Sequence, residues 1–206
     1  MQSPQAQISC YLISEEDTKR WDEDYLQTRT EISESFVTDR NPLIRRGLMA
    51  NKNDAALREH VVNLLAGGHA HATYEQAAKD LPVELQGKVP RGAEHSPWQV
   101  LEHLRIAQRD ILEFSRNAKY ESPKWPEGYW PKKAPENEKA WDKSVRAFKK
   151  DRKELCALVE DEKTDLFAKI PHGDGQTILR EAMLAADHNA YHIGELVLVR
   201  RLLGAW

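Results

Sequence analysis

Long apolar runs, paired cysteines, phosphate-binding loops and a large charge excess are all missing from this chain. Each absence removes a class of function. No apolar stretch reaches the roughly 20 residues a helix needs to cross a bilayer, so no membrane span is expected. The first residues lack a basic region followed by an apolar core, so no secretory leader is expected either. The two cysteines, Cys10 and Cys156, form no motif. That usage points to a cytoplasmic chain without a disulfide framework. No glycine-rich phosphate loop, nucleophile elbow or paired-cysteine motif supplies a ready reaction centre.

Charge is nearly balanced. The net value is −3 over 206 residues. Residues 1–48 carry six Lys/Arg against nine Asp/Glu, and residues 49–206 carry 24 of each. Such a balance argues against a dedicated nucleic-acid binder. The lysines between Lys139 and Lys153 are interleaved with acids and read as a solvated helix face.

Hydrophobic residues make up 40% and charged residues 31%, enough for a soluble core. Residues 1–48 form an acidic accessory tail, expected to be partly disordered, with a thin apolar stripe of Trp21, Tyr25, Ile32 and Phe36. Arg45-Arg46-Gly47 stands just before Met49. If its codons are AGG-AGG-GGN the gene carries a ribosome-binding sequence there, and Met49 is then the expected native start, with the domain running over 49–206.

Four long amphipathic helices are expected, with no strand run and no repeat. The first starts from a cap at Asn53 or Asp54, runs through Leu57, Val61, Leu64 and Leu65, and stops at Gly67-Gly68. Thr73 caps a short helix that ends before Pro82. The second long helix has Ser96 as its cap and Pro97 at its first position, and runs to about Asn117. Residues 118–137 hold four prolines with Trp125, Tyr129 and Trp130. A connection of that length covers the end of a core, forms a binding loop, or does both. The third helix spans about Glu138 to Val159. The fourth occupies most of Gly175–Trp206, ends near Gly204, and is apolar nearly all round, as a central or subunit-facing helix would be. Together these predict an all-α four-helix bundle with a long loop between its second and third helices.

His188 and His192 lie four apart on the last helix. At about 100° per residue they point the same way, so both imidazoles can reach one cation. Alone, the pair also fits two ordinary histidines, and a site needs a third ligand. His103 lies in the middle of another long amphipathic helix, on the margin of its apolar face.

EHL on the second helix and DHNAYHIGEL on the fourth resemble the DinB/YfiT-like superfamily, whose members are regarded as metalloenzymes. HAH, KWPEGYWP and IPHGDGQT resemble one DinB-like subgroup, and the likeness covers roughly residues 50–206. It implies a mirrored up-and-down bundle, frequently a homodimer, with a divalent metal on one histidine of the second helix and two of the last. Those positions are His103, His188 and His192. Characterised relatives include thiol-dependent S-transferases and a mycothiol-dependent isomerase. The resemblance thus implies a small-molecule substrate and a low-molecular-weight thiol.

Three neutral imidazoles leave a divalent ion its full charge and open positions, the mark of a catalytic site. Zinc or nickel suits imidazole best, with manganese or iron as further options. A water or thiol there would be pushed toward its anion near neutral pH. Each ligand should donate its other N–H to an acceptor, for which Glu195, Asp110 and Glu181 are candidates. His69, His71 and His172 sit in loops near helix ends, as a fourth ligand, a proton carrier or local caps. Of these, His69 joins Glu195 as a candidate catalytic group, whereas His60 and His95 read as structural. Two functions fit: a metal-dependent thiol transferase or isomerase, or a non-catalytic bundle that binds a small ligand or serves in stress.

Overall fold

The computed structural model describes residues 42–137 and 139–206, with side chains from Lys52 onward. The compact unit considered below is Asn53–Trp206. The acidic tail and the apolar stripe expected in it lie outside the described residues. Among them the helices are α1 Pro42–Ala66, α2 Tyr74–Ala78, α3 Val83–Gln86, α4 Pro97–Arg116, α5 Ala140–Glu160 and α6 Ile178–Leu202. No strand occurs among them, and Lys169 and Thr177 form a single isolated bridge. The four long helices and the long α4–α5 connection are those the sequence predicts.

Local chemistry explains the boundaries. Ser96 and Gln99 form a reciprocal capping box at the start of α4, with Pro97 in the first turn. Thr73 and Gln76 do the same for α2, and the Thr177 hydroxyl accepts from the Arg180 amide at the start of α6. The predicted start of α1 is corrected. The helix begins at Pro42, not after a cap at Asn53 or Asp54, because proline can open a helix as readily as end one. The Asp54 carboxylate instead accepts from Arg58 Nε at 2.7 Å. Position 49 lies inside this helix.

Two apolar clusters build the core. In one, Val61 and Leu65 of α1 join Ile111, Leu112, Leu155, Val159, Ala182 and Ala185. The other gathers Tyr74 and Leu81 with Leu101, Leu104, Trp141, Phe148, Ile193 and Leu196. Tyr74 and Phe148 stack at 3.9 Å between ring centres. Along α4 and α6 the two clusters are separated by a polar tier. There Asn189 donates to Gln108 at 2.8 Å, both buried, beside the three histidines.

Not all of α6 is covered. Met183, Leu184, Tyr191, Leu198 and Leu202 are exposed within one face of about 100°. Among the described residues no helix is long and apolar enough to cross a membrane.

Arg58 ties α1 to the end of α5. Its guanidinium donates to the carbonyls of Val159 at 2.7 Å, Asp161 at 3.0 Å and Thr164 at 2.8 Å. A methionine fills the same space but leaves those acceptors without a donor. Arg58→Met should therefore lower unfolding stability by about 2–4 kcal/mol. Asp54→Asn, which loses one partly exposed ion pair, should cost less than about 1 kcal/mol. Urea unfolding followed by circular dichroism measures both.

Candidate metal centre

α4 carries His103 and α6 carries His188 and His192, one turn apart. Packing of the two helices brings their imidazoles together. His103 Nε2 lies 3.1 Å from His192 Nε2 and 3.0 Å from His188 Nε2. One nitrogen from each of the three falls within 4.8 Å of the others, the spread expected of ligands around one ion. His103 and His192 are buried and His188 is half-buried.

The outer nitrogens fix what the inner ones can do. His103 Nδ1 lies 3.2 Å from the Tyr129 carbonyl oxygen, which only accepts, so Nδ1 carries the hydrogen. His192 Nδ1 donates in the same way to Glu195 Oε2 at 2.7 Å. In neutral rings both Nε2 atoms are then bare lone pairs, facing each other at 3.1 Å. Two lone pairs repel at that distance, whereas a cation between them would bind both. The donor set therefore fits a divalent ion on His103, His188 and His192.

Burial keeps two of the rings, His103 and His188, neutral. Removal from water, with His192 close by, pushes His103 down to about 4. Burial and the neighbouring His192 and His103 push His188 down to about 3. Burial works to raise the Glu195 carboxyl, but hydrogen bonds from His192 and His95 outweigh it and hold it below the usual carboxylate range. Glu195 therefore remains an anion that accepts from both.

The α4–α5 connection closes one side. The Trp130 ring lies between two imidazoles, 3.9 Å from His103 and 3.9 Å from His95, nearly parallel to each. It meets His192 edge-on at 5.9 Å, and Tyr191 meets His192 edge-on at 4.9 Å. The Tyr129 hydroxyl donates to Asp110 Oδ2 at 2.6 Å. Burial and that bond raise the phenol well above its ordinary value, so it stays a donor. The loop covers the end of the core and also walls the site.

The supporting residues differ in part from those expected. Glu195 backs a ligand. Asp110 acts one step away, through Tyr129. Glu181 accepts from Arg180 at 2.6 Å, and His188 Nδ1 is buried without a hydrogen-bond partner among the described residues. The expectation that every ligand is backed by an acceptor thus fails at His188. His69 and His71 are exposed in the turn after α1, and His71 Nδ1 lies 2.9 Å from the Ala72 carbonyl. His172 Nε2 donates to the Phe114 carbonyl at 2.7 Å, which ties the segment before α6 to the end of α4 and lies apart from the three histidines. His60 is exposed on α1. His95, expected to be structural, belongs to the site, with Nδ1 3.3 Å from Glu195 Oε1. It precedes the α4 cap, and no helical spacing relates it to the other three. The aromatic content of the connection was the only signal for Tyr129 and Trp130.

The family model of the DinB superfamily matches residues 68–196, which is more than half of the chain and includes all three histidines. No curated protein and no solved structure matches it.

The depressed imidazoles predict a pH effect in the metal-free protein. Above the ordinary histidine value of 6.5 both states are neutral and these groups cost nothing. As pH falls from about 6.5 toward 4 the unfolded chain takes up protons that the folded one does not, so stability declines. Melting temperatures in chelator across that window should fall with pH. His188→Asn should flatten the slope, and a slope unchanged by that substitution would contradict the assignment.

Proposed function

The chain belongs to the DinB superfamily, and we propose that it is a divalent-metal-dependent enzyme joining a low-molecular-weight thiol to a small electrophile. One observation carries this reading: His103 and His192 turn bare Nε2 lone pairs toward each other inside the protein, with His188 Nε2 beside them. Zinc or nickel is the proposed ion, since all three donors are imidazole nitrogens, with manganese or iron as the second choice. Bound there, a divalent ion supplies a Lewis acid that lowers the pKa of a thiol or water held beside it.

The protein's own residues bind and orient. The three imidazoles would hold the ion without neutralising it. Glu195 fixes the tautomer and ring angle of His192. Trp130 and Tyr191 pack edge-on against His192. His69, exposed beyond α1, has no place in this scheme. The reading sets the reaction in the cytoplasm, where small thiols stay reduced. We further propose a homodimer in which the exposed face of α6 that carries Tyr191 and Leu198 packs on a second copy.

Untagged protein should contain about one divalent ion per chain by elemental analysis, falling to background in His192→Ala and in His103→Ala. Small thiols paired with model electrophiles should then turn over with the loaded chain and not with either variant. No ion above background would sink the metal reading. An ion without turnover on any pair would instead favour a non-catalytic bundle that binds a small ligand.

A further inference from the structure

The residues before α4 and the connection after it meet over one metal ligand. The connection touches His103 twice. The Tyr129 carbonyl accepts from its Nδ1 at 3.2 Å, and the Trp130 ring covers its face at 3.9 Å. Four contacts in turn hold that segment down. Asp110 Oδ2 accepts from the Tyr129 hydroxyl at 2.6 Å. Gln99 Nε2 donates to the Pro131 carbonyl at 3.2 Å, while the same side chain completes the capping box of α4. Trp98 Nε1 donates to the Lys133 carbonyl at 3.1 Å. His95 stacks on the far face of Trp130 and joins Glu195, which holds His192. The contacts form a circuit that starts at one ligand and returns to another.

The geometry points to Tyr129 and Trp130 as positioning residues of the metal centre, so that order in residues 118–137 and occupancy of the three histidines are one linked equilibrium. The reason is thermodynamic. The Tyr129 carbonyl and the Trp130 ring hold His103 in the tautomer and rotamer that aim Nε2 at the ion. A cation that binds only that arrangement stabilises the loop by the same free energy that the loop contributes to binding. Without the loop, His103 loses the Tyr129 carbonyl as acceptor and the Trp130 ring as a wall, and proton and rotamer disorder compete with binding. The segment lacks secondary structure of its own, and its short contacts are concentrated near Tyr129–Lys133. Its order therefore rests on few interactions, and removing one should be felt at the metal. The inference rests on the metal reading proposed above.

Zinc titration of the full chain against a chelator of known affinity tests it. Tyr129→Phe keeps the ring and the carbonyl but loses the tether to Asp110, and should weaken zinc binding about tenfold. Trp130→Ala should weaken it about 10- to 100-fold, and Trp130→Phe, which preserves a stacking ring, should recover most of the loss. Trypsin supplies a readout that a purely structural role for the loop would not move. Zinc should slow cleavage after Lys124, Lys132 and Lys133 in the wild-type chain and have little effect in Tyr129→Phe. Zinc affinities in Tyr129→Phe and Trp130→Ala equal to that of the wild type overturn the inference, as does cleavage that zinc leaves unchanged. A wild-type chain that takes up no zinc overturns the metal reading and this inference with it, whereas zinc-binding loop variants indistinguishable from wild type remove this inference alone.

Discussion

Three imidazole nitrogens pressed together away from water are electrostatically unfavourable, and the specific features of this chain are arranged around that point. His103 and His192 lie between two helices, with their outer hydrogens already committed to Tyr129 and Glu195. Burial denies His103 the proton that would otherwise separate the lone pairs. Without a proton there, a cation is what the geometry suits. An apolar core of the same size would need none of these devices.

The bundle tolerates the arrangement because its apolar surface is divided. One cluster lies toward Ile111, Leu155 and Ala182, and the other toward Leu101, Phe148 and Leu196. The histidines and the Gln108–Asn189 pair occupy the tier between. Stability thus comes from both ends, and polar side chains are confined to the middle. There they can satisfy one another, although His188 Nδ1 and some amide atoms have no partner among the described residues. The electrostatics of the site and the packing of the bundle are separable for that reason.

The α4–α5 connection joins these two roles. It covers the buried Trp98 and the half-buried Gln99 at the start of α4, and it also fixes the orientation of a ligand. Gln99 serves the helix cap and the loop at once, so the start of the helix and the wall of the site form together. Glu195 occupies the matching position on α6, accepting from His192 and His95. The family match spans all of these residues.

The sequence alone determined whatever depends on neighbours a few residues away. Helical periodicity and capping residues marked the four long helices, and the i, i+4 spacing of His188 and His192 put them on one line because a helix repeats every 3.6 residues. The proline-rich, aromatic segment was legible as an unusual connection. Tertiary structure decided whatever depends on how helices pack. It brought His103 to the pair across 85 residues, drew His95 in from outside any helix, and turned the Tyr129 carbonyl toward a ring nitrogen. It also placed Glu181 and Asp110 away from the ligating nitrogens, though both lie at helical spacings that allowed direct contact. The physical reason is that spacing fixes direction along one helix. The distance between two helices is set by the shapes of all the side chains between them, and no local pattern encodes that sum.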